Sequence, residues 1–432
     1  MSIGFFFNTM YNVVDSFYAG QVSTTALGAL ALSFPVFFII IATSEGIARG
    51  ASALIANAIG AGDKKEEAAL SSQVFSLGFL CAIGLTVLGL NVASPLFRTL
   101  GASGDYLDIA TSYISPLFWG ALFFLLSSMS NSVLLAHGDS KTFGRVLVAG
   151  FFLNLLLDPW FLYGGFGLPA FGIAGIAWAT VAIQAIGGFY LFATVWRRGY
   201  VRFHSLQELM PDFKTYAMIL KQGVPTSFNM MSIALGFFVT TYFLQFYGDD
   251  HGKVSIAAFG VGTRIEQIVL LPAIGLGAAI VSIVGQNNGA GQLSRVRECV
   301  QLCVRYGFVL IAVASVLMYF CAGPLVRLFT KDPEVISVGV TYVRIMTFIQ
   351  WAYVMTFVHT GFLQALKRPM YGFVESVIRK IVLPIGVFYA VVHVFEVHLQ
   401  AFWFSMAIIN IAMALVTITY AQWVLRKLEI TS

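Results

Sequence analysis

Apolar runs of membrane-spanning length fill almost the whole chain, and the polar positions gather in short clusters between them. Runs separated by Gly, Pro or charged clusters predict helices over residues 2–20, 27–57, 67–97, 106–136, 141–163 and 171–196. Six more follow over residues 215–247, 254–285, 295–322, 333–365, 370–395 and 400–425. A spanning helix with its loop takes about 30–35 residues, so twelve of them use up nearly all of the 432 residues. The longest connection runs from Arg197 to Lys214 and divides the chain nearly in half. The predicted architecture is therefore an all-α polytopic membrane protein of twelve transmembrane helices. It has a six-helix lobe over 1–197, a linker over 198–214 and a second six-helix lobe over 215–432.

The halves repeat one another at a constant offset of 229 residues. Gly60-Ala61-Gly62 returns as Gly289-Ala290-Gly291, Pro95-Leu96 as Pro324-Leu325, Arg98 as Arg327, Tyr113 as Tyr342 and Leu134 as Leu363. Six spans per half is an even number, so both halves enter the membrane from the same side. That predicts a pseudo-two-fold axis along the membrane normal, as in transporters built from parallel repeats.

Composition and charge sharpen this. The chain is 58% hydrophobic and 10% charged, against about 25% charged in soluble domains. Lys64, Lys65, Lys141, Arg145, Arg197, Arg198, Arg202, Lys214, Arg295, Lys367 and Arg426 fall on one side. Only Arg98, Lys253, Arg327 and Lys331 fall on the other. By the positive-inside rule the first side is cytoplasmic, which predicts a multi-pass plasma (inner) membrane protein with both termini inside. The net charge of +5 is sorted by side and speaks for topology, not nucleic-acid binding. The first apolar run shows neither basic leader nor cleavage site, so no cleavable signal peptide is expected. Cys299 and Cys303 share a helix face, but nothing completes a metal site, and the four cysteines read as packing residues.

Candidate chemistry lies in the few polar groups inside the spans. Asn8, Tyr11, Asn12 and Asp15 recur at i, i+3, i+4 and i+7, one stripe of the first helix. Asn154 and Asp158 share a face of the fifth span, Thr180 and Gln184 one of the sixth, and Ser127 and Asn131 one of the fourth. Neither Asp15 nor Asp158 has a basic residue within a helical turn, whereas Glu45–Arg49 and Glu375–Arg379 can neutralise each other at i, i+4. An intramembrane carboxylate without a partner marks an ion or substrate path. Carboxylate, amide and hydroxyl oxygens from three helices can surround a small hard cation such as Na⁺, or share a proton. At the offset of 229, Asp15 corresponds to Leu244 and Asp158 to Val387, so ion chemistry is expected in the first half only. Glu266 is a further candidate for contact with a cavity.

Three of these features together resemble the multidrug and toxic compound extrusion (MATE) family of cation-coupled antiporters over nearly the whole chain. They are Val14-Asp15 to Gly20, the Gly-Ala-Gly turn with its counterpart Gly285 to Gly291, and Asn154-Leu-Leu-Leu-Asp158. The prokaryotic DinF-like branch is the most similar. The resemblance implies a two-lobed secondary transporter, not an enzyme and without catalytic residues, whose cleft opens alternately to each side. It implies export of cationic amphipathic compounds by a monomer in exchange for H⁺ or Na⁺, with no other cofactor. It implies a cation site of Asp15, Tyr11, Asn154, Asp158 and Thr180, in which Asp15, Asn154, Asp158 and Thr180 would hold Na⁺. Asn8 and Asn131 match positions that face drug in family members, and Asn12, Ser127, Gln184 and Glu266 join them as expected substrate contacts. One departure is that family members usually carry a longer lead before this Asp, with a proline that lets the first helix bend.

Other classes fit less well. A flippase for lipid-linked precursors, the alternative within the same superfamily, needs Arg and Lys in its cleft to hold pyrophosphate, and the first half offers only Arg49 within its spans. A channel needs polar stripes along the full length of several helices, and these stop midway. A membrane enzyme needs a nucleophile–base or metal constellation, and the sequence shows none.

Overall fold

In a bilayer no water is available to backbone N–H and C=O groups, so a chain this apolar closes its hydrogen bonds within helices. The computed structural model describes residues 2–165, 167–202 and 210–431, and these are helical almost throughout. The helices are α1 (Ser2–Val22), α2 (Thr24–Ala61), α3 (Lys64–Thr99), α4 (Gly104–Trp119), α5 (Ala121–Ala136), α6 (Lys141–Tyr163), α7 (Ile173–Arg197) and α8 (Phe213–Leu244). There follow α9 (Asp249–Gly289), α10 (Leu293–Phe320), α11 (Ala322–Arg327), α12 (Pro333–Thr347), α13 (Gln350–Ala365), α14 (Pro369–Val377), α15 (Leu383–Tyr389) and α16 (Leu399–Thr431). Two π-helical turns, Ile378–Val382 and Ala390–Val394, join and extend α14 and α15 into one span. Much of the expected 198–214 linker, residues 203–209, lies outside the described residues.

Among the described residues nine helices are long and apolar enough to cross a membrane. Two further pairs, α4 with α5 and α12 with α13, are bent by 46° and 52° and make eleven when each is taken as one span. The expected twelfth, α1, is helical over its whole length, but its polar residues keep it outside that group. Contacts divide the chain into two compact units, Met1–Ser227 and Phe228–Ser432. The division falls inside α8, beyond the connection at which the sequence pattern divides. Each unit holds two buried apolar clusters among its described residues. In the first, one centres on Phe97, Ile114, Leu117 and Ile176, the other on Ile55, Leu70, Val133 and Leu191. In the second, one centres on Tyr342, Phe388, Phe402 and Trp403, the other on Ile280, Val284, Val358 and Phe362.

The repeat is written into the helix ends. α5 and α13 begin at residues 121 and 350 and end at 136 and 365, 229 apart at both ends. α4 and α12 begin at 104 and 333, at the same offset. α2 closes on Gly62 at φ +70°, and Gly291 takes φ +68° in the matching turn after α9. Both glycines occupy the left-handed region that a side chain disfavours. Local capping accounts for several starts. The Ser23 hydroxyl accepts from Ala26 N at 2.9 Å, and Asp63 Oδ1 accepts from Glu66 N at 2.9 Å. The bend between α4 and α5 is held from outside, where Thr86 Oγ1 donates to Phe118 O at 2.7 Å.

The loop between α5 and α6 is organised by Asp139. Its Oδ1 accepts from the amides of Lys141 and Thr142 at 2.9 and 3.0 Å, and its Oδ2 accepts from Thr142 Oγ1 at 2.5 Å. Arg198, just past α7, donates to the same Oδ2 at 2.6 Å. Burial alone would raise this carboxyl. The Thr142 hydroxyl and amide, with Arg198, outweigh it and hold Asp139 below the usual carboxylate range. A depressed native pKa contributes stability above the unfolded value, and that contribution is lost as pH falls through the native value. Asp139→Ala is therefore expected to cost about 0.5–2 kcal/mol at neutral pH, the range for a lost helix cap. Melting temperature in detergent, followed from neutral to acid pH, should show the gap from wild type closing on the acid side.

Candidate functional site

α1 packs against α6, and α6 against α7, all within the first unit. The polar groups of α1 are tolerated in an apolar setting because several bond back to their own helix. Thr9 Oγ1 donates to Phe5 O at 3.0 Å, Asn12 Nδ2 to Asn8 O at 3.0 Å and Ser16 Oγ to Asn12 O at 2.9 Å. The stripe predicted from the sequence divides into two. Asn8 and Asn12 are exposed, Tyr11 is half-buried with its hydroxyl sealed, and Asp15 is 5% exposed.

Opposite Asp15 stands the buried face of α6. Asn154 Nδ2 donates to Asp15 Oδ1 at 2.9 Å. One turn on, Asp158 is fully buried, and its carboxyl lies against that of Asp15. Although Pro159 follows, α6 runs on to Tyr163, so Asp158 sits inside the helix and not at its end. Pro159 has no N–H to give the Leu155 carbonyl, which is left without its helical donor. From α7, Thr180 faces Tyr11 and donates to Ile176 O at 3.1 Å. Neither Asp158 oxygen has a donor, nor has Asn154 Oδ1, and Tyr11 Oη is also unbonded. Two carboxyl groups in contact with no donor between them repel unless a proton or a cation stands there. The unbonded atoms are all oxygens, the donor type that Na⁺ and other hard cations take.

The close passage of α7 past α6 sets this geometry. A Cβ on Gly175 would meet Phe161 O at 2.4 Å and Phe161 C at 2.5 Å. Those are backbone atoms with nowhere to go, so the missing side chain lets α7 bring Thr180 alongside α6.

The other sequence candidates lie apart from this cluster. Ser127 and Asn131 are buried on α5, Asn131 with its Oδ1 unbonded, and Gln184 is half-buried on α7. Glu266 belongs to the second unit, where it is 7% exposed beside the phenols of Tyr342 and Tyr353, with its Oε1 unbonded. The second half carries no carboxylate at 244 or 387, yet the second unit has a buried acid by another route in Glu266. Sequence reasoning also passed over Tyr113 on α4, which is buried within electrostatic reach of both Asp15 and Asp158. Tyr342, its counterpart in the repeat, stands against Glu266. The signal was present in the Tyr113–Tyr342 match, but the acid approaches that tyrosine from α1 and α6 in one unit and from α9 in the other. The i, i+4 pairs form as expected, Arg49 Nε to Glu45 Oε2 at 3.7 Å and Arg379 Nε to Glu375 Oε1 at 2.5 Å.

Comparison with known proteins bears on the family and the fold. The family profile described as MatE matches residues 1–160 and 225–390. A "Probable multidrug resistance protein YoeA" of Bacillus subtilis is 28% identical over 337 residues, covering 76% of this chain and 70% of its own length. An "FAD transporter" of Shewanella oneidensis is 26% identical over 378 residues, 86% of this chain and 82% of its own. The outward-facing structure of a multidrug resistance MATE family transporter of the MOP superfamily superposes with a TM-score of 0.92 at 24% identity. It covers 99% of this chain, and the match covers 94% of that one.

Two substitutions probe the site's construction. Asn154→Ala leaves Asp15 Oδ1 without its donor and should destabilise the protein by about 1–3 kcal/mol, read as melting temperature in detergent. Gly175→Ala should cost about 1–3 kcal/mol through overpacking, whereas Gly84→Ala, with nothing within 4 Å of the added carbon, should not destabilise.

Proposed function

The chain belongs to the MatE family of multi-pass membrane transporters, and on that footing we propose that it exports cationic amphipathic compounds in exchange for H⁺ or Na⁺. The reading places it in the DinF-like branch, as a monomer of two six-helix lobes in the plasma membrane with both termini cytoplasmic. The observation that carries the proposal is the contact of Asp15 with Asp158, sealed from solvent and without a donor between them. The relatives named as multidrug resistance proteins support the substrate class.

In this mechanism the cation enters from outside and stands between the two carboxyl groups. The Asn154 and Thr180 oxygens and the Tyr11 phenol complete its surroundings. Occupancy replaces repulsion by attraction between α1 and α6 and draws the two helices together. In the cation-loaded form the acid pair carries one negative charge fewer, and a cationic substrate loses that part of its electrostatic hold and leaves. When the protein opens inward the cation dissociates, and the restored negative charge favours a new substrate cation. The Phe and Met residues, 40 and 13 in number, supply adaptable apolar contact. Alternating access then couples the two flows.

The test is dye efflux from proteoliposomes with ΔpH and ΔNa⁺ imposed separately. Asp15→Asn and Asp158→Asn should each cut gradient-driven efflux by about tenfold or more, equivalent to about 1.4 kcal/mol. Efflux at wild-type rates in both variants would end the assignment, and the gradient that drives wild-type efflux identifies the ion.

A further inference from the structure

A charge this mechanism does not use lies in the second unit, on the span built from α14, its π turns and α15. There Glu375, 2% exposed, accepts from Arg379 Nε, and Arg379 also donates through Nη1 to Asn410 Oδ1 on α16 at 3.0 Å. That pair is satisfied. Lys380 follows it directly, and its ammonium makes no ion pair and no hydrogen bond among the described residues. The charges it feels are Arg379, which repels it, and Glu375, which is already held by Arg379.

Lys380 also sits at the end of a polar seam between α8 and this span. Asn229 Nδ2 donates to Gly372 O at 3.0 Å, and Ser232 meets Ser376 hydroxyl to hydroxyl. One turn further, α8 carries Gly236, where an added Cβ would come within 2.9 Å of Lys380 Cβ. The lysine stem therefore lies against bare α8 backbone, and Gly372, Ser376 and Lys380 follow one another at four-residue steps facing the same helix. Eleven residues separate Pro369 from Lys380, about 16 Å at helical rise, which is near the middle of a hydrocarbon core of about 30 Å. The π turn Ile378–Val382 begins two residues before it, and such turns gather at functional sites. An ammonium at this depth has three donors to satisfy, and a mid-membrane cation that no carboxylate neutralises implies a negative partner from outside the chain.

We propose that Lys380 forms an anion-recognising contact for substrate, taking a carboxylate or phosphate of a transported amphiphile. This rests on the transporter reading and widens its substrate class. The acids of the first unit answer to a cation, and Lys380 answers to an acid, so compounds bearing an acidic group are bound as well as cationic ones.

Equilibrium binding to the full chain in nanodiscs tests this without any ion gradient, so it stays readable whether or not coupled antiport is found. The probes are carboxyfluorescein and FAD as acidic ligands and ethidium as a cationic one, followed by fluorescence anisotropy. Lys380→Met should weaken both acidic probes by about tenfold or more with ethidium and melting temperature unchanged, and Lys380→Arg should keep acidic binding within about threefold of wild type. Wild type that binds neither acidic probe, or Lys380→Met that binds them as wild type does, overturns the proposal, as does an equal loss of ethidium. Nanodiscs of phosphatidylcholine alone and with phosphatidylglycerol separate the sources of the anion. Loss of acidic-probe binding in the second would assign Lys380 to a lipid headgroup and overturn a substrate role.

Discussion

The hydrogen bond from Asn154 to Asp15 ties α6 to α1 where no solvent competes for either group. In water such a bond exchanges freely with the solvent and its net worth is small. Inside a bundle its loss leaves a carboxylate oxygen with nothing to bond, and the full desolvation cost appears. The contact between Asp15 and Asp158 follows from it, because the bond aims Asp15 at the face of α6 that also carries Asp158 one turn later. The close passage at Gly175, the buried Tyr113 and the uninterrupted course of α6 past Pro159 all serve this one juxtaposition.

Much of this was legible in the sequence because helical periodicity is a one-dimensional rule. The spacing of Asn154 to Asp158 and of Tyr11 to Asp15 predicted which groups share a face, and both pairs do point into one cluster. The same rule placed Asn8 and Asn12 on that stripe, where the structure leaves them exposed. A stripe at i, i+3, i+4 and i+7 is broad, and only its Tyr11–Asp15 edge meets α6. What periodicity could not show is which helices are neighbours. Tyr113 and Tyr342 could be matched by subtraction, but that each stands beside an acid depends on packing among α1, α4 and α6 in one unit and α9 and α12 in the other. Lys380 was invisible as a candidate for a related reason. Its neighbour Arg379 has its carboxylate four residues away in sequence, and only the packed structure shows that among the described residues no such group remains for Lys380.

Comparison of the units shows backbone and chemistry diverging at different rates. Helix ends, the bend before α5 and α13 and the left-handed glycines at 62 and 291 keep one offset. The buried acids do not: Asp15 and Asp158 correspond to Leu244 and Val387. The packing of α1 on α6 in the first unit presents acids, whereas the seam of α8 with α14 in the second ends in a base. A scaffold held by backbone bonds and apolar burial leaves its buried polar positions open to reassignment, since each needs only a local partner.

The link between α1 and α2 is a single residue, Ser23, in extended backbone at φ −171° and ψ 162° with its hydroxyl spent on capping α2. Extended backbone is open to any residue, so this joint stores no torsional energy. Ser23 N still donates to Ala19 O at 3.3 Å and Leu27 N to Ser23 O at 3.1 Å, so backbone bonds run through the joint. The tilt of α1 is then set by what its flank touches, and chiefly by the groups it presents to α6. A change in charge at Asp15 therefore acts on α1 through its contact with α6.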